Sequence, residues 1–334
     1  MWNRRKSASV EKDAAASIVI TLDNQKDTIH PGDLLLGKVQ VQVNKPLNDA
    51  TLVVQVSGEE RIDWELHFDN VPYRFHAEHE HIDEKVELVT GHSFDAGVSV
   101  YPFEFQLSRK LLNSFEYSGG RAASFGNVQT RLKYMVEAVL ETKTGDKFMR
   151  IQPFTMLPLV VKPPTSSPVS FSVSKELRTL GLFKRGQCSV EATLNGDLFD
   201  SSSMIEARVA IDNASTKTLK SVRLVLYEDL RIERHIAKSP AMLREGYRPV
   251  CRRMYDGEAI SNVSKGQPMT LRLPITPNDI SLFKPLVPTM QSYYIAVGYH
   301  VTVECGLSGG TWVVAEAPIT ILPQADNQSV APIA

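Results

Sequence analysis

Histidines are concentrated in one short part of the sequence, where their spacing would suit metal chemistry. The eight histidines of the chain include His67, His76, His79, His81 and His92. On a β-strand, residues two apart project from the same face, so His79 and His81 form a pair that could chelate zinc or another transition metal. The neighbouring acidic residues Glu78, Glu80 and Asp83 would complete the coordination shell.

The alternative for this cluster is an exposed polar edge or hairpin with alternating charges, and this is the interpretation we favour. A metal site predicts that zinc raises the melting temperature and that His79→Ala abolishes the increase. We otherwise expect no cofactor.

Common catalytic motifs are missing from the sequence. It contains no G-x-S-x-G, no glycine-rich phosphate loop before a helix and no H-E-x-x-H. Adjacent carboxylates such as Glu59 and Glu60, or Asp83 and Glu84, would point to opposite faces of a strand and are poor partners for acid–base catalysis. We therefore expect solvated charges at these positions and a protein that is not an enzyme.

Basic residues are concentrated between residues 223 and 253, where eight Arg and Lys stand against four acidic residues. Six of them form a candidate basic docking patch: Arg231, Arg234, Arg244, Arg248, Arg252 and Arg253. Such a patch would bind anionic lipid or an acidic partner tail. The alternative is a solvated hairpin whose arginines pair with acidic residues on the neighbouring strand.

The elements that position these residues are predicted to be β-strands. Apolar and polar residues alternate around Val39, Val41 and Val43, and the same period of two recurs in 133–141 and 295–303. Turn signals separate the periodic segments, and no amphipathic helix exceeds about two turns. The pattern predicts an all-β protein made of sandwiches.

The length of 334 residues exceeds the roughly 100–150 of one typical domain, so two domains are expected. Pro163 and Pro164 cannot donate ladder hydrogen bonds and indicate a linker. We predict a flexible segment (1–16), a first immunoglobulin-like β-sandwich (17–162), a linker (163–168), a second sandwich (169–323) and a short tail (324–334). Each half ends in a Pro-flanked apolar strand, so the two are predicted to be related.

Composition excludes several classes of protein. The net charge of −1 argues against nucleic-acid binding, which usually needs a basic face. No segment reaches the roughly 18 apolar residues of a transmembrane helix, and the N-terminus is a poor signal peptide. The three cysteines are too few and too far apart for a disulfide framework, which predicts reduced thiols and a cytoplasmic protein.

Several segments resemble, in the same order, those of the arrestin family, above all the α-arrestins. In the first half these are 18–24 (IVITLDN), 30–33 (HPGD), 37–39 (GKV), 52–59 (LVVQVSGE) with Trp64, 101–107 (YPFEFQL), 111–116 (LLNSFE) and 131–138 (RLKYMVEA). In the second half they are 211–217 (IDNASTK) and 287–301. Leu112 stands where the family usually has Pro. The resemblance covers roughly residues 17–323.

This resemblance implies the arrestin fold of two tandem sandwiches and a non-enzymatic adaptor or scaffold. Its partners would be cytoplasmic tails of membrane proteins, acidic or phosphorylated, which it would select for endocytosis or trafficking. The expected location is the cytoplasm, with recruitment to the plasma membrane or endosomes. An alternative is a structural subunit of a coat or retrieval complex, like the arrestin-like subunit of retromer.

By the same resemblance, basic residues near the start of the first domain would hold phosphates. The matching positions are Arg4, Arg5, Lys6 and Lys26, with a disordered solubilising tail as the alternative. The P-P-x-Y motif, through which many α-arrestins recruit ubiquitin ligases, is absent from the sequence. The usual ligase-adaptor role is therefore not expected.

Overall fold

The structure is a computed structural model. It describes residues 15–23, 28–68, 71–119, 126–158, 166–179, 183–200, 203–233, 245–263, 266–275 and 286–323. These residues are mostly β-strand and include no α-helix, so the predicted all-β class is confirmed. They form two compact units, with 64–75 and 118–128 grouped in the second. Within the described ranges, no helix is long and apolar enough to cross a membrane.

The first sandwich is built from two sheets. Its strands are β1 (Ala16–Leu22), β2 (Thr28–Ile29), β3 (Leu34–Val43), β4 (Leu47–Phe68), β5 (Val71–Phe94), β6 (Gly97–Gln106), β7 (Phe115–Gly119), β8 (Asn127–Thr142) and β9 (Lys147–Met156). One sheet has the order β1-β3-β6, and the other has the order β2-β9-β8-β4-β5 with β7 beside β8. The pairs β1–β3, β3–β6 and β8–β9 are antiparallel, whereas β2 runs parallel to β9.

The core of the first sandwich follows from the period-two pattern of its strands. Val39 and Val41 on β3 are fully buried, while Lys38, Gln40 and Gln42 between and beside them face solvent. Burying one face of each sheet removes apolar surface from water, which is the main stabilising term of such a fold. The core is shared by residues of both sheets, as expected for a sandwich.

The second sandwich repeats this design. Its strands are β10 (Val169–Thr179), β11 (Phe183–Leu194), β12 (Leu198–Phe199), β13 (Met204–Ser215), β14 (Leu219–Ile232), β15 (Glu245–Asp256), β16 (Met269–Pro274), β17 (Met290–Gln291), β18 (Ile295–Leu307) and β19 (Thr311–Ile321). The sheet orders are β10-β11-β13-β16 and β12-β19-β18-β14-β15, with β17 beside β18. A 3-10 turn, Gly257–Ile260, lies between β15 and β16.

Strands β11 to β19 therefore correspond in order and pairing to β1 to β9, and β10 is an addition. The correspondence extends to single hydrogen bonds. Ser114 N donates to Met156 O over 2.8 Å and Met156 N donates to Ser114 Oγ over 3.0 Å. Thr289 and Ile321 make the same two bonds, at 2.8 and 2.9 Å. The predicted relation between the halves is thus visible in the backbone.

A buried tyrosine occupies the same place in each sandwich. Tyr134 on β8 donates its hydroxyl to Leu112 O over 2.7 Å, and Tyr299 on β18 donates to Val287 O over 2.6 Å. Burial, and secondly the nearby Glu60 carboxylate, raise the pKa of the Tyr134 hydroxyl, so it remains a donor. Each tyrosine fastens the segment before β7 or β17 to the large sheet.

The three cysteines, Cys188, Cys251 and Cys305, are buried free thiols. Burial raises the pKa of the Cys188 and Cys305 thiols, which keeps them protonated and poorly reactive. They serve as small apolar residues of the second core.

Candidate functional site

The long hairpin of β4 and β5 carries the histidine cluster, and the structure places His79 and His81 side by side as the sequence predicts. Their ring centroids are 4.9 Å apart in an edge-to-face arrangement. His81 Nε2 donates to Glu60 Oε2 over 2.8 Å. Glu60 is fully buried, so the expectation that both Glu59 and Glu60 are solvated is wrong for Glu60. Adjacent residues of a strand face opposite ways, and Glu60 takes the inward direction.

The remaining histidines have separate surroundings. His76 Nδ1 lies 2.8 Å from Asp63 Oδ1, and its Nε2 lies 3.1 Å from Glu78 Oε1. His67 Nε2 is 3.6 Å from Glu65 Oε1, and the His92 ring packs edge-on against Phe94. No group of three or more His, Cys, Asp or Glu in the described part of the chain is arranged to hold a metal ion.

The predicted basic docking patch lies on β14, β15 and the segment between them. Arg248 forms a fork to Glu228, with Nε 2.8 Å from Oε1 and Nη2 3.3 Å from Oε2. Arg231 Nε donates to Glu233 Oε1 over 2.7 Å. The Arg248–Glu228 pair matches the alternative in which arginines pair with acidic residues on the neighbouring strand. Arg231 and Glu233 lie two residues apart on the same segment and do not test it.

The other four arginines of the basic docking patch differ in position. Arg252 and Arg253 are exposed on β15, and the Arg253 guanidinium lies 5.5 Å from the Tyr255 ring centroid. Arg234 and Arg244 lie outside the described residues, as do Arg4, Arg5, Lys6 and Lys26. Among the described residues, β15 therefore carries Arg248, Arg252 and Arg253, of which the adjacent Arg252 and Arg253 project to opposite faces of the strand.

Strand edges are the second candidate for a binding site. In the second sandwich, β10 pairs along β11 from Val169 to Thr179 and so covers that edge. In the first sandwich β1, the counterpart of β11, ends its sheet, and within the described residues only β3 pairs with it. Val19, at the middle of β1, is half exposed, whereas Ile18 and Ile20 point into the core. An open edge offers backbone donors and acceptors to an extended peptide.

Comparison with protein families settles the relationship of the chain. Residues 18–162 match the family model described as "Arrestin (or S-antigen), N-terminal domain", and residues 184–325 match "Arrestin (or S-antigen), C-terminal domain". The chain belongs to the arrestin family. Members of this family are in general protein-binding adaptors or scaffolds without enzymatic activity, and they bind cytoplasmic tails of membrane receptors. A search of curated proteins finds no match.

The C-terminal arrestin domain covers its β11 edge with help from an aspartate. Asp197, just before β12, accepts a bond from Ser167 N over 2.8 Å and one from Ser166 Oγ over 3.2 Å. The bond from the Ser167 amide is the main reason that the pKa of Asp197 lies below its usual value. These contacts hold the residues that lead into β10.

The same arrestin domain has an aromatic cluster on the outer face of its large sheet. Tyr227 stacks on His300 with centroids 5.1 Å apart, and the exposed Tyr247 ring lies edge-to-face with both. His300 Nδ1 lies 2.7 Å from Asp229 Oδ2. Burial, followed by the hydrogen bond to Glu304, raises the pKa of Tyr227 to about 12. Sequence reasoning missed this cluster because its members lie far apart along the chain, on β14, β15 and β18.

Proposed function

We propose that this arrestin is a non-enzymatic adaptor of the α-arrestin type, which binds extended cytoplasmic segments of membrane proteins and selects them for endocytosis or trafficking. The observation that supports this most strongly is the edge of β1, which is open within the described residues although the equivalent edge of β11 is covered by β10. The proposed location is the cytoplasm, with recruitment to the plasma membrane or endosomes.

The bound segment would add a strand beside β1 through main-chain hydrogen bonds. Exposed side chains of β1, such as Val19, would contact alternate residues of the peptide. Arg4, Arg5 and Lys6 precede β1 in the sequence and Lys26 follows it. Because charge-assisted bonds to phosphate are strong, these four residues would favour acidic or phosphorylated tails.

Anionic lipid is the second partner that we propose. On β15, the side chains of Arg252 and Arg253 are exposed, whereas that of Arg248 is largely buried. Exposed arginines near a membrane surface contribute about 1 kcal/mol each to the attraction of anionic lipid. The proposed contribution of the basic docking patch to lipid binding therefore rests on Arg252 and Arg253.

Peptide binding tests the proposal directly. The probe is a phosphorylated receptor-tail peptide with its unphosphorylated form as reference, measured by fluorescence anisotropy on the full chain. We expect the triple charge reversal Arg4→Glu, Arg5→Glu, Lys6→Glu to weaken binding of the phosphorylated peptide at least tenfold. The matched control Lys184→Glu, on β11, should leave it unchanged. Equal affinity of both peptides in all variants would contradict the phosphate role.

A cross-linking pulldown with mass spectrometry tests the adaptor role itself. We expect several membrane proteins at low stoichiometry. One stoichiometric soluble partner would instead indicate the coat or retrieval-complex subunit. If no membrane protein is recovered and no tail peptide binds, the adaptor proposal fails.

A further inference from the structure

The hairpin of β4 and β5 is the most unevenly charged part of the chain. Between Leu47 and Phe94 the sequence has eleven Asp and Glu against three Arg and Lys, a local charge of −8 in a chain whose total is −1. Two long strands of 22 and 24 residues carry this charge.

The few cations of this hairpin are largely occupied by the acidic residues of one face. Arg61 binds both Glu59 and Glu78. Arg74 Nε lies 2.6 Å from Glu65 Oε2. These contacts extend along the hairpin, and Lys143 from outside it lies 3.1 Å from Asp49. Most of the acidic surplus remains without a cation of the hairpin itself.

Two acidic residues of β5, Glu80 and Glu84, are exposed and have no ion pair in the described part of the chain. Glu80 lies two residues from Glu78 and so projects from the same face of the strand. Exposed carboxylates of this kind are available to a cationic partner at little desolvation cost.

The backbone of β5 is available as well. The strand ends its sheet, and within the described residues it is placed next to β4 alone. Side chains on both faces are exposed along most of its length, including Val71, Tyr73 and Val86. A long edge of this kind can pair with another strand, and its charges decide which strand is accepted.

The equivalent edge in the second sandwich has the opposite character. There β15 ends the sheet and presents Arg252 and Arg253. The acidity of β5 is therefore a property of this edge alone and is not inherited from the repeat.

We propose that the edge of β5 binds, by strand addition, an extended protein segment rich in Lys and Arg. Main-chain bonds along β5 would supply affinity, and Glu80 and Glu84 would select cationic side chains. Such segments flank the membrane-spanning helices of membrane proteins on the cytoplasmic side. The choice of membrane proteins as the source of this segment rests on the proposed function, whereas binding of a cationic peptide at the β5 edge does not depend on it.

The test uses the full chain and a synthetic twelve-residue peptide in which Lys and Val alternate, with titration calorimetry at low and physiological salt. We expect Glu80→Lys/Glu84→Lys to weaken binding at least tenfold, because attraction becomes repulsion. The matched variant Glu258→Lys/Glu316→Lys, which makes the same charge change in the second sandwich, should bind like the unmodified chain. If Glu80→Lys/Glu84→Lys fails to fold, Glu80→Gln/Glu84→Gln is used in its place. We then expect the affinity for the peptide to fall about threefold to tenfold.

A second peptide tests strand addition separately from charge. N-methylation at alternate residues removes the backbone donors of one peptide edge and should reduce affinity at least tenfold. Equal binding of the methylated peptide, or of a peptide with Glu in place of Lys, would overturn the proposal. The proposal would also be overturned if sedimentation showed a dimer that Glu80→Lys/Glu84→Lys dissociates. The strand added to β5 would then come from a second copy of the chain. If Glu80→Lys/Glu84→Lys still binds the phosphorylated tail peptide, the proposed function is independent of peptide binding at the β5 edge.

Discussion

Each sandwich buries a glutamate on equivalent strands, Glu60 on β4 and Glu228 on β14, and the two differ in the partner that the edge strand supplies. On β15, Arg248 donates from two nitrogens of one guanidinium. On β5, His81 donates from one nitrogen. Arginine is always charged and matches a carboxylate with two parallel bonds, whereas histidine offers one bond at a time to it. Topology therefore fixes where the carboxylate is buried, but not how firmly it is held.

The comparison also has an energetic side. Removing a carboxylate from water costs several kcal/mol, and only a well-placed partner offsets that cost. The fork of Arg248 is nearly enclosed, with 17% of its side chain and 3% of that of Glu228 exposed. His81 and Glu60 are similarly enclosed, at 12% and 0%. The expected difference between the sandwiches lies in the strength of the partner, since the burial is alike.

The largest effect is expected from breaking the stronger pair. Arg248→Met leaves the Glu228 carboxylate buried without its fork, which should lower the free energy of unfolding of the second sandwich by about 3–5 kcal/mol. Urea unfolding with hydrogen-exchange mass spectrometry assigns the loss to one sandwich. The double variant Arg248→Met/Glu228→Leu should recover most of it, since no buried charge remains. A loss below about 1 kcal/mol would show that the pair is unimportant.

Breaking the weaker pair should have a smaller effect. His81→Ala removes one hydrogen bond to a buried carboxylate, with an expected loss of about 1–3 kcal/mol in the first sandwich by the same measurement. Arg248→His gives the second sandwich a histidine–glutamate pair like that of the first. Its loss of free energy of unfolding should lie between those of His81→Ala and Arg248→Met. If His81→Ala cost more than Arg248→Met, the order of partner strength given above would be reversed.

Removal of the tyrosine hydroxyls tests whether two equivalent hydrogen bonds stabilise the two sandwiches to the same extent. Tyr134→Phe and Tyr299→Phe each leave one carbonyl, of Leu112 or Val287, without that donor. We expect a loss of about 0.5–1.5 kcal/mol in each sandwich, and losses that agree within error, in thermal unfolding. Clearly unequal losses would mean that the surroundings of the two hydroxyls differ in spite of their common geometry.

The smallest effect concerns the strand that only the second sandwich has. Because the pKa of Asp197 is lowered in the folded protein, its stabilising contribution is present above the unfolded value of about 3.9 and disappears as the pH falls through the lower folded value. The melting temperature of the unmodified chain should therefore exceed that of Asp197→Asn at pH 6, and the gap should close in stronger acid. A gap independent of pH would exclude an electrostatic origin.

Sequence reasoning predicted the sandwiches because strands such as β3 and β8 alternate buried and more exposed residues with a period of two. The alternating residues of β3 and β8, such as Val41 and Val136, are fully buried as predicted. The β5 strand was harder to recognise, because only its middle alternates with this period and the parts on either side are exposed on both faces. The sequence of its 24 residues indicates only a polar, histidine-rich segment. The sheet order shows that this segment is one long strand at the edge of its sheet.

Pairing between distant residues limited the prediction of the site. The sequence indicated both the surplus of arginines and the alternative in which they pair within the hairpin. It gave no means to tell that Arg248 is the one enclosed with Glu228, since that choice depends on the register of β14 with β15 and on its bulge near Leu226. The same limit applied to Glu60, whose burial follows from the direction of its side chain on β4.

Both sandwiches are closed by a two-residue strand that runs parallel to the last strand, and this arrangement constrains how the chain folds. Leu157 N donates to Ile29 O, and Leu322 N donates to Phe199 O. Next to the first of these bonds, His30 Nδ1 lies 3.0 Å from Pro158 O, although 128 residues separate the two along the chain. Contacts between such distant residues make folding slow. During synthesis, neither sandwich can finish closing before its final strand has left the ribosome, so each passes through a stage with unpaired edges on which chaperones would act.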